Sequence, residues 1–330
     1  MTLTAVQYGI GPIGGRIVET AVDRGFDFVG AIDIDPAKVG NDLGTVAGLD
    51  RELGATVTDD AEAALAAEPD IVFHSTLSSI EAVAPQLEEA MAAGADVVST
   101  TEELAYPWRD NPDAAETIDA AAKDYGATCL GTGINPGFAM DTLAAILSTP
   151  CQSVESVHVE RVQDAGERRK PLQEKVGAGM AVDRWRDEIA AEAGHVGLPE
   201  SIAMLGAAFG WELDAVEETI EPVVADERAE SEYFTVEPGE AAGIHQVGRG
   251  FVDGEAVIEL DLEMYLGAGE MLDAVHLRGT PDLDVTVEGG FHGDIATPAV
   301  VCNTVPGVRS ADPGLATMLD LPTPRYHPIE

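Results

Sequence analysis

Residues 3–35 read LTAVQYGIGPIGGRIVETAVDRGFDFVGAIDID, and the fold follows from how this stretch is divided. Leu3 to Ile10 makes a short apolar strand. Ile13, Ile17, Val18 and Ala21 then recur at helical spacing, and Phe26 to Asp35 is a second apolar run. Strand, glycine turn, helix and strand in this order form a βαβ unit. Its turn, Gly9-Ile10-Gly11-Pro12-Ile13-Gly14, has the GxGxxG spacing. There Gly9 permits the tight turn, Gly11 lets a pyrophosphate approach the backbone, and Gly14 lets helix and strand pack closely. Pro12 and Ile13 open the helix, whose free N–H groups and dipole favour phosphate. Asp33, ending the second strand, is placed to take the adenosine ribose hydroxyls, with Asp35 competing for that role. No arginine follows Asp33, so NAD is expected, with NADP as the alternative. The plainer reading of the motif is a glycine-rich turn that binds nothing.

The alternation continues. Residues 61–70 read as helix, 71–79 as strand, 80–94 as helix, 95–101 as strand, 113–126 as helix and 127–137 as strand. These strands are too apolar to have a wet face, which implies a parallel sheet covered on both sides. After residue 150 the rhythm changes. Residues 153–163 alternate, 181–227 look helical, and AVIELDLEMYL sets Ile258, Leu260, Leu262, Met264 and Leu266 against Glu259, Asp261 and Glu263. Such alternation suits an antiparallel sheet with one wet face, its apolar face covered by another element or subunit. Thr297-Pro298 is a helix start, Thr as N-cap and Pro in the first turn. The expectation is an α/β fold in three parts: a Rossmann-type doubly wound parallel sheet over 1–148, an α+β substrate and oligomerisation domain with a mainly antiparallel sheet over 149–294, and a C-terminal helix and tail over 295–330 that return to the first domain.

At 330 residues the chain is long enough for two cores. Asp and Glu number 60 against 18 Lys and Arg, a formal charge of −42, which excludes nucleic acid and anionic membranes as partners. The acid is spread along the chain and only four residues are lysine, as in a protein adapted to a salt-loaded cytoplasm. Cys129, Cys151 and Cys302 are odd in number and far apart, so neither a disulfide framework nor a metal site is expected. No apolar run reaches membrane-spanning length and no basic leader opens the chain, so the expected location is the cytoplasm.

Four further stretches hold candidate chemistry. His74-Ser75-Thr76 ends the third apolar strand, where open α/β sheets bind ligands; these residues either line the cofactor path or form a strand-end turn. In STTEELAYPW, residues 99–108, Thr100 and Glu103 have the spacing of a capping box. That leaves Glu102, at the end of a central strand, as the carboxylate available for proton transfer. In GTGINPGFAMD, residues 131–141, Asn135 either makes the turn or hydrogen-bonds cofactor or substrate. Arg161, Arg168, Arg169, Lys170 and Lys175 cluster unexpectedly in so acidic a chain, either at a site loop or against acids of a second subunit, and the glycines of VGAGM after them imply a close backbone approach.

GIGPIG, STTEELAYPW, GTGINPGFAMD and RVQDAGERRKPLQEKVGAGM, in this order, resemble the 2,4-diaminopentanoate dehydrogenase and native amine dehydrogenase group, similar in fold to dihydrodipicolinate reductase. The resemblance implies NAD(P)-dependent deamination of a primary amine, reversible from ketone and ammonia, by a homodimer or higher homo-oligomer. It implies Glu102 as the catalytic and substrate-binding carboxylate, Asn135 beside nicotinamide and substrate, and a last helix around Asn303 that closes the pocket. The reductase branch's His-His and Lys stretch is missing, VHVERVQDAGERRK standing in its place, while Thr101 and Gln163 leave substrate choice open. The alternatives are a dihydrodipicolinate reductase-like or homoserine dehydrogenase-like enzyme using the basic cluster for a carboxylated substrate, and a non-catalytic NAD(P)-sensing protein.

Overall fold

The computed structural model describes residues 2–190 and 194–326. Along the chain come β1 (Thr4–Tyr8), α1 (Pro12–Asp23), β2 (Asp27–Ile32), α2 (Leu43–Val46), β3 (Val57–Thr58), α3 (Ala61–Leu65), β4 (Ile71–His74), α4 (Ile80–Ala92), β5 (Asp96–Ser99), α5 (Pro112–Tyr125) and β6 (Thr128–Gly131). Next are α6 (Thr142–Leu147), β7 (Ser153–Asp164), α7 (Lys170–Lys175), β8 (Met180–Ala181), α8 (Val182–Glu188), α9 (Leu198–Phe209), β9 (Ala215–Val224), β10 (Ala229–Glu230), β11 (Thr235–Val236), β12 (Glu240–Val252), β13 (Glu255–Tyr265), β14 (Leu272–Thr280) and β15 (Leu283–Glu288). Last are α10 (Gly293–Val308) and β16 (Gly314–Ala316).

The chain divides into two units, residues 1–138 with 293–330, and residues 139–292. In the first, seven parallel strands lie in the order β16-β6-β5-β4-β1-β2-β3. The reversal at β1 and β4 is the topological switch point of a doubly wound sheet, where the strands' C-terminal ends open a ligand crevice. Every residue of β4 and β6 is buried, because helices cover both faces. Helix α1 begins with Pro12 and turns Gly14, Ile17, Val18 and Ala21 inward, one stripe of a 3.6-residue period. Strand β16 extends the sheet beyond β6, a pairing that three residues of Gly-Leu-Ala do not announce.

In the second unit, β15-β14-β7-β13-β12-β8 form a sheet in which β7 and β13 run parallel and the other neighbours antiparallel, with β9 also on β12. Two expectations change here. Residues 215–224 form strand rather than helix: the glutamates of AVEETIEPVV hide a β-branched edge strand that lies along β12 for ten paired positions. The inward face of β12 and β13 is covered by α9 of the same chain. A Cβ on Gly248 would stand 2.7 Å from the Ile202 side chain, so Ile202 of the helix packs directly on the bare backbone of the sheet. Asp141 accepts the Ser201 hydroxyl at 2.7 Å, which ties the start of α6 to α9 and brings the division earlier than residue 148.

Helix α10 starts at Gly293, one turn before the expected Thr297-Pro298. Thr297 is not its N-cap; its hydroxyl accepts the Ile134 N–H at 3.4 Å. No helix among the described residues is long and apolar enough to cross a membrane.

Candidate active site

Gly9 has a φ of +85°, and a Cβ there would stand 2.4 Å from the Ser75 carbonyl oxygen. A Cβ on Gly14 would stand 2.1 Å from the Gly9 oxygen. Both glycines are therefore demanded by the protein's own backbone. Gly11 is different: nothing lies within 4 Å of the Cβ it lacks, and it caps α1 with no side-chain hydrogen bond. Its bareness serves no internal packing and leaves the α1 N-terminus open to an anion. Pro12 is exposed and Ile13 half-buried at the mouth of this turn.

Asp33 is fastened to the same turn. Its Oδ2 accepts the Ile10 N–H at 2.8 Å and the Lys38 ammonium at 2.8 Å, and its Oδ1 accepts the Asp35 N–H at 2.9 Å. Burial alone raises its pKa, but the Lys38 bond and the two backbone donors together hold the carboxyl below the usual range. The Asp35 carboxylate bonds Ala37 N–H at 2.9 Å and serves its own turn. Of the two acids, Asp33 is the one joined to the glycine loop.

His74 ends β4 with its ring almost wholly enclosed. Nδ1 lies 2.9 Å from Ser99 Oγ, and Nε2 lies 2.8 Å from Gln86 Oε1 and 3.0 Å from Thr76 Oγ1. Burial pushes its pKa down to about 4, so the ring is neutral near pH 7. The Ser75 hydroxyl donates to the Gly9 oxygen at 2.8 Å and accepts from buried Gln7 at 2.9 Å. Thr76 packs its methyl against Gly9. These three side chains thus hold the glycine turn and the strand ends, with their polar atoms engaged inside the first unit.

The pair Glu102-Glu103 follows β5 in a 3₁₀ turn, Glu102–Leu104, with Thr101 at its N-cap. The expected capping box from Thr100 does not form. The Glu103 carboxylate instead accepts the Ile80 N–H at 2.9 Å, capping α4, the helix that precedes it in sequence. Thr101, buried, donates its hydroxyl to the Leu77 oxygen at 2.8 Å and accepts one from Ser99 at 3.0 Å. Behind the turn, a Cβ on Gly131 of β6 would stand 2.5 Å from the Leu104 carbonyl. Glu102 is half-buried, between buried Thr101 and the Ile80-capping Glu103, just past the C-terminal end of β5.

Asn135 lies in the loop after β6, preceding a cis peptide bond to Pro136. It is only 8% exposed, yet neither its amide nitrogen nor its amide oxygen has a hydrogen-bond partner. The Thr132 hydroxyl nearby in sequence is likewise buried and unpaired. Leaving such groups unmet costs about 1–3 kcal/mol each, a penalty that a ligand hydrogen-bonded to them would remove. The open Gly11 amide turn, the Asp33 carboxylate and the orphaned Asn135 amide together fit a dinucleotide with its carboxamide end.

Asn303 is taken away from this edge. Its side-chain oxygen accepts from Arg24, the residue that caps the C-terminus of α1, at the opposite end from the glycine turn. Helix α10 carries Thr297, beside the Ile134 loop, in its first half, and Arg309, just past its end, reaches Asp70 and Asp96 at the starts of β4 and β5. Its first turns, not its middle, stand at the site edge. The basic cluster also separates: Arg161 is buried against Asp273 and the Phe291 oxygen, while Lys170 pairs with Glu174 at 3.4 Å on the surface. The close approach implied by VGAGM is to Trp185, whose indole edge lies 2.4 Å from where a Gly177 Cβ would be and donates to the Val176 oxygen at 2.8 Å. Sequence reasoning missed Gln7, Ser99 and Lys38. The signal was there for the first two, polar residues near the C-terminal ends of otherwise apolar strands.

Comparison with known proteins agrees with this architecture. Residues 138–327 match the family model described as the 2,4-diaminopentanoate dehydrogenase C-terminal domain. The 2,4-diaminopentanoate dehydrogenase of Acetoanaerobium sticklandii is 37% identical over 237 residues, 70% of this chain and 67% of that protein. An amine dehydrogenase of Streptomyces virginiae is 27% identical over 97% of this chain and 96% of its own. The solved structure of the amine dehydrogenase from Mycobacterium smegmatis superimposes with a TM-score of 0.86 at 27% identity, covering 99% of this chain and 98% of that one. With an open glycine turn, an anchored Asp33 and a family model that spans more than half the sequence, the chain belongs to the 2,4-diaminopentanoate dehydrogenase family.

Proposed function

We propose that this chain is a nicotinamide-dependent amine dehydrogenase that deaminates a primary amine of the 2,4-diaminopentanoate type and, in reverse, aminates the ketone with ammonia. The observation that carries this reading is the buried, unpartnered Asn135 amide at the same sheet edge as the clamped Glu102 turn. It is supported by the names of the relatives.

Gly11, the α1 N-terminus and Asp33 would hold the dinucleotide, and Asn135 its carboxamide or the substrate. The bound nicotinamide supplies the hydride acceptor for deamination and the donor for amination. Glu102 takes one proton from the substrate ammonium, leaving a neutral amine able to release hydride from its carbon. Its carboxylate, having passed that proton to solvent, stabilises the positive charge of the substrate iminium. Glu102 then removes a proton from the water that attacks the iminium carbon, returns it to nitrogen, and takes the remaining hydroxyl proton as the C–N bond breaks, so that ammonia leaves and a ketone remains. A carboxylate at Asp33 favours NAD over NADP by repelling a 2′-phosphate, although Lys38 at 2.8 Å offsets part of that charge.

The carboxylated-substrate alternative loses one member of its basic cluster, since Arg161 is engaged by Asp273 and the Phe291 oxygen. The charge of −42 supports a working medium of high salt. The test is NADH consumption at molar KCl with a panel of ketones and amino-ketones, with and without ammonium. Ammonium-dependent turnover supports the proposal; reduction that ignores ammonium, or no turnover at all, overturns it.

A further inference from the structure

The second unit carries a side-chain cluster that the proposed chemistry does not use. His158 of β7 and His276 of β14 stand directly opposite each other across an antiparallel pair, their ring centroids 5.6 Å apart. Glu160, two residues along β7 and so on the same face, lies between them: its Oε1 is 3.8 Å from His158 Nε2 and its Oε2 is 3.5 Å from His276 Nε2. One ligand atom from each of the three lies within 4.8 Å of the others.

Two independent features separate this group from an ordinary polar face. His158 Nε2 is buried and has no hydrogen-bond partner. His276 has its other nitrogen, Nδ1, bonded to Asp284 Oδ1 at 2.6 Å, which orients the ring with Nε2 toward Glu160. A carboxylate holding the far nitrogen is the usual support of a metal-bound histidine. Asp284 is itself paired with Arg278 at 2.8 Å.

We propose that His158, Glu160 and His276 form a binding site for a divalent transition-metal ion of the zinc type. Ligand bonds of about 2.0–2.2 Å in tetrahedral geometry set neighbouring donor atoms about 3.4 Å apart; one donor atom from each residue already lies within 4.8 Å of the others, with Glu160 turning Oε1 to His158 at 3.8 Å and Oε2 to His276 at 3.5 Å. Glu259 of β13, paired in register with His158, brings its Oε1 to 3.8 Å from His158 Nε2 while Arg249 holds its Oε2 at 2.6 Å. Glu259 or a water completes four ligands. The ion thereby cross-links β7 and β14, and β13 as well where Glu259 is the fourth ligand. The second His-carboxylate group on this sheet, His245 with Asp261 and Glu263, is a poorer candidate, because His245 Nε2 already bonds Asp261 at 2.8 Å.

The test uses the full chain, freed of metal by a chelator and titrated with Zn²⁺ in molar KCl by equilibrium dialysis, with thermal melting in parallel. One saturable Zn²⁺ per chain is expected above the weak binding of so acidic a surface, with a rise in Tm. Co²⁺ in its place should give the intense visible bands of tetrahedral coordination. The double variant His158→Gln/His276→Gln should lose the saturable ion and the Tm response, and Asp284→Asn should weaken binding about 10- to 100-fold. His245→Gln should leave both intact. The proposal is overturned if the parent binds no saturable Zn²⁺, or if the double variant, folded by circular dichroism, binds it equally well.

Discussion

The carboxylate of Glu103 accepts the backbone N–H of Ile80 at 2.9 Å, so the exit of β5 caps the helix that leads into it. With Glu102 in the proposed proton-transfer role, the two adjacent glutamates have separate duties. Glu103→Ala should cost about 1 kcal/mol of stability, as loss of a helix cap does, and leave kcat within a few-fold. Glu102→Gln should leave the melting temperature nearly unchanged and lower kcat by about 10²–10⁴ with dinucleotide binding retained. Thermal melts, turnover and dinucleotide titration on the two variants check the division; a Glu102→Gln enzyme of normal turnover would refute the role.

Asn135 offers a prediction in which stability and function move oppositely. Its buried amide meets no partner in the protein, so Asn135→Leu, of similar size, should leave the ligand-free protein as stable as before or about 1–2 kcal/mol more so. The same change should lower kcat/KM at least about tenfold, because the ligand then loses its hydrogen bonds. A variant that unfolds readily, or that keeps full kcat/KM, would place Asn135 in the turn alone.

His74 should govern part of the acid sensitivity. Its folded pKa of about 4 lies below the ordinary 6.5, so the unfolded chain binds the extra proton. The stability it contributes is complete above about pH 6.5 and is lost as pH falls toward 4. The shift corresponds to on the order of 3 kcal/mol across that window. Denaturant melts at several pH values should show a shallower decline from pH 6.5 to 4 in His74→Gln than in the parent.

The acidic surface should make the fold salt-dependent. At about 1 M salt the screening length is near 3 Å, short enough to quiet repulsion among 60 carboxyl groups. The melting temperature should fall steadily from molar KCl to dilute buffer. A flat profile would remove the case for adaptation to salt.

The glycine turn, the alternating helices and strands, and a structural duty for Glu103 are legible in residues 3–103, because each rests on short-range spacing and backbone stereochemistry. Even there, the reason for setting Glu103 aside was incomplete: its spacing from Thr100 suggested a local cap, whereas its partner is Ile80, 23 positions back. Such pairings depend on how strands stack side by side, and the order β6-β5-β4-β1 is not written in any one segment.

What the sequence determined by itself is the periodicity of burial, and with it the parallel sheet, its open glycine turn and the acid at Asp33. What only the tertiary structure decided is which polar groups meet: Asn303 against Arg24 rather than at the site, Arg161 against Asp273, Asn135 against nothing, and His158 beside His276. The physical reason is range. Helical and strand periods arise from neighbours along the chain, whereas hydrogen bonds and ion pairs of the folded protein join groups up to 279 positions apart, and local pattern holds no record of them.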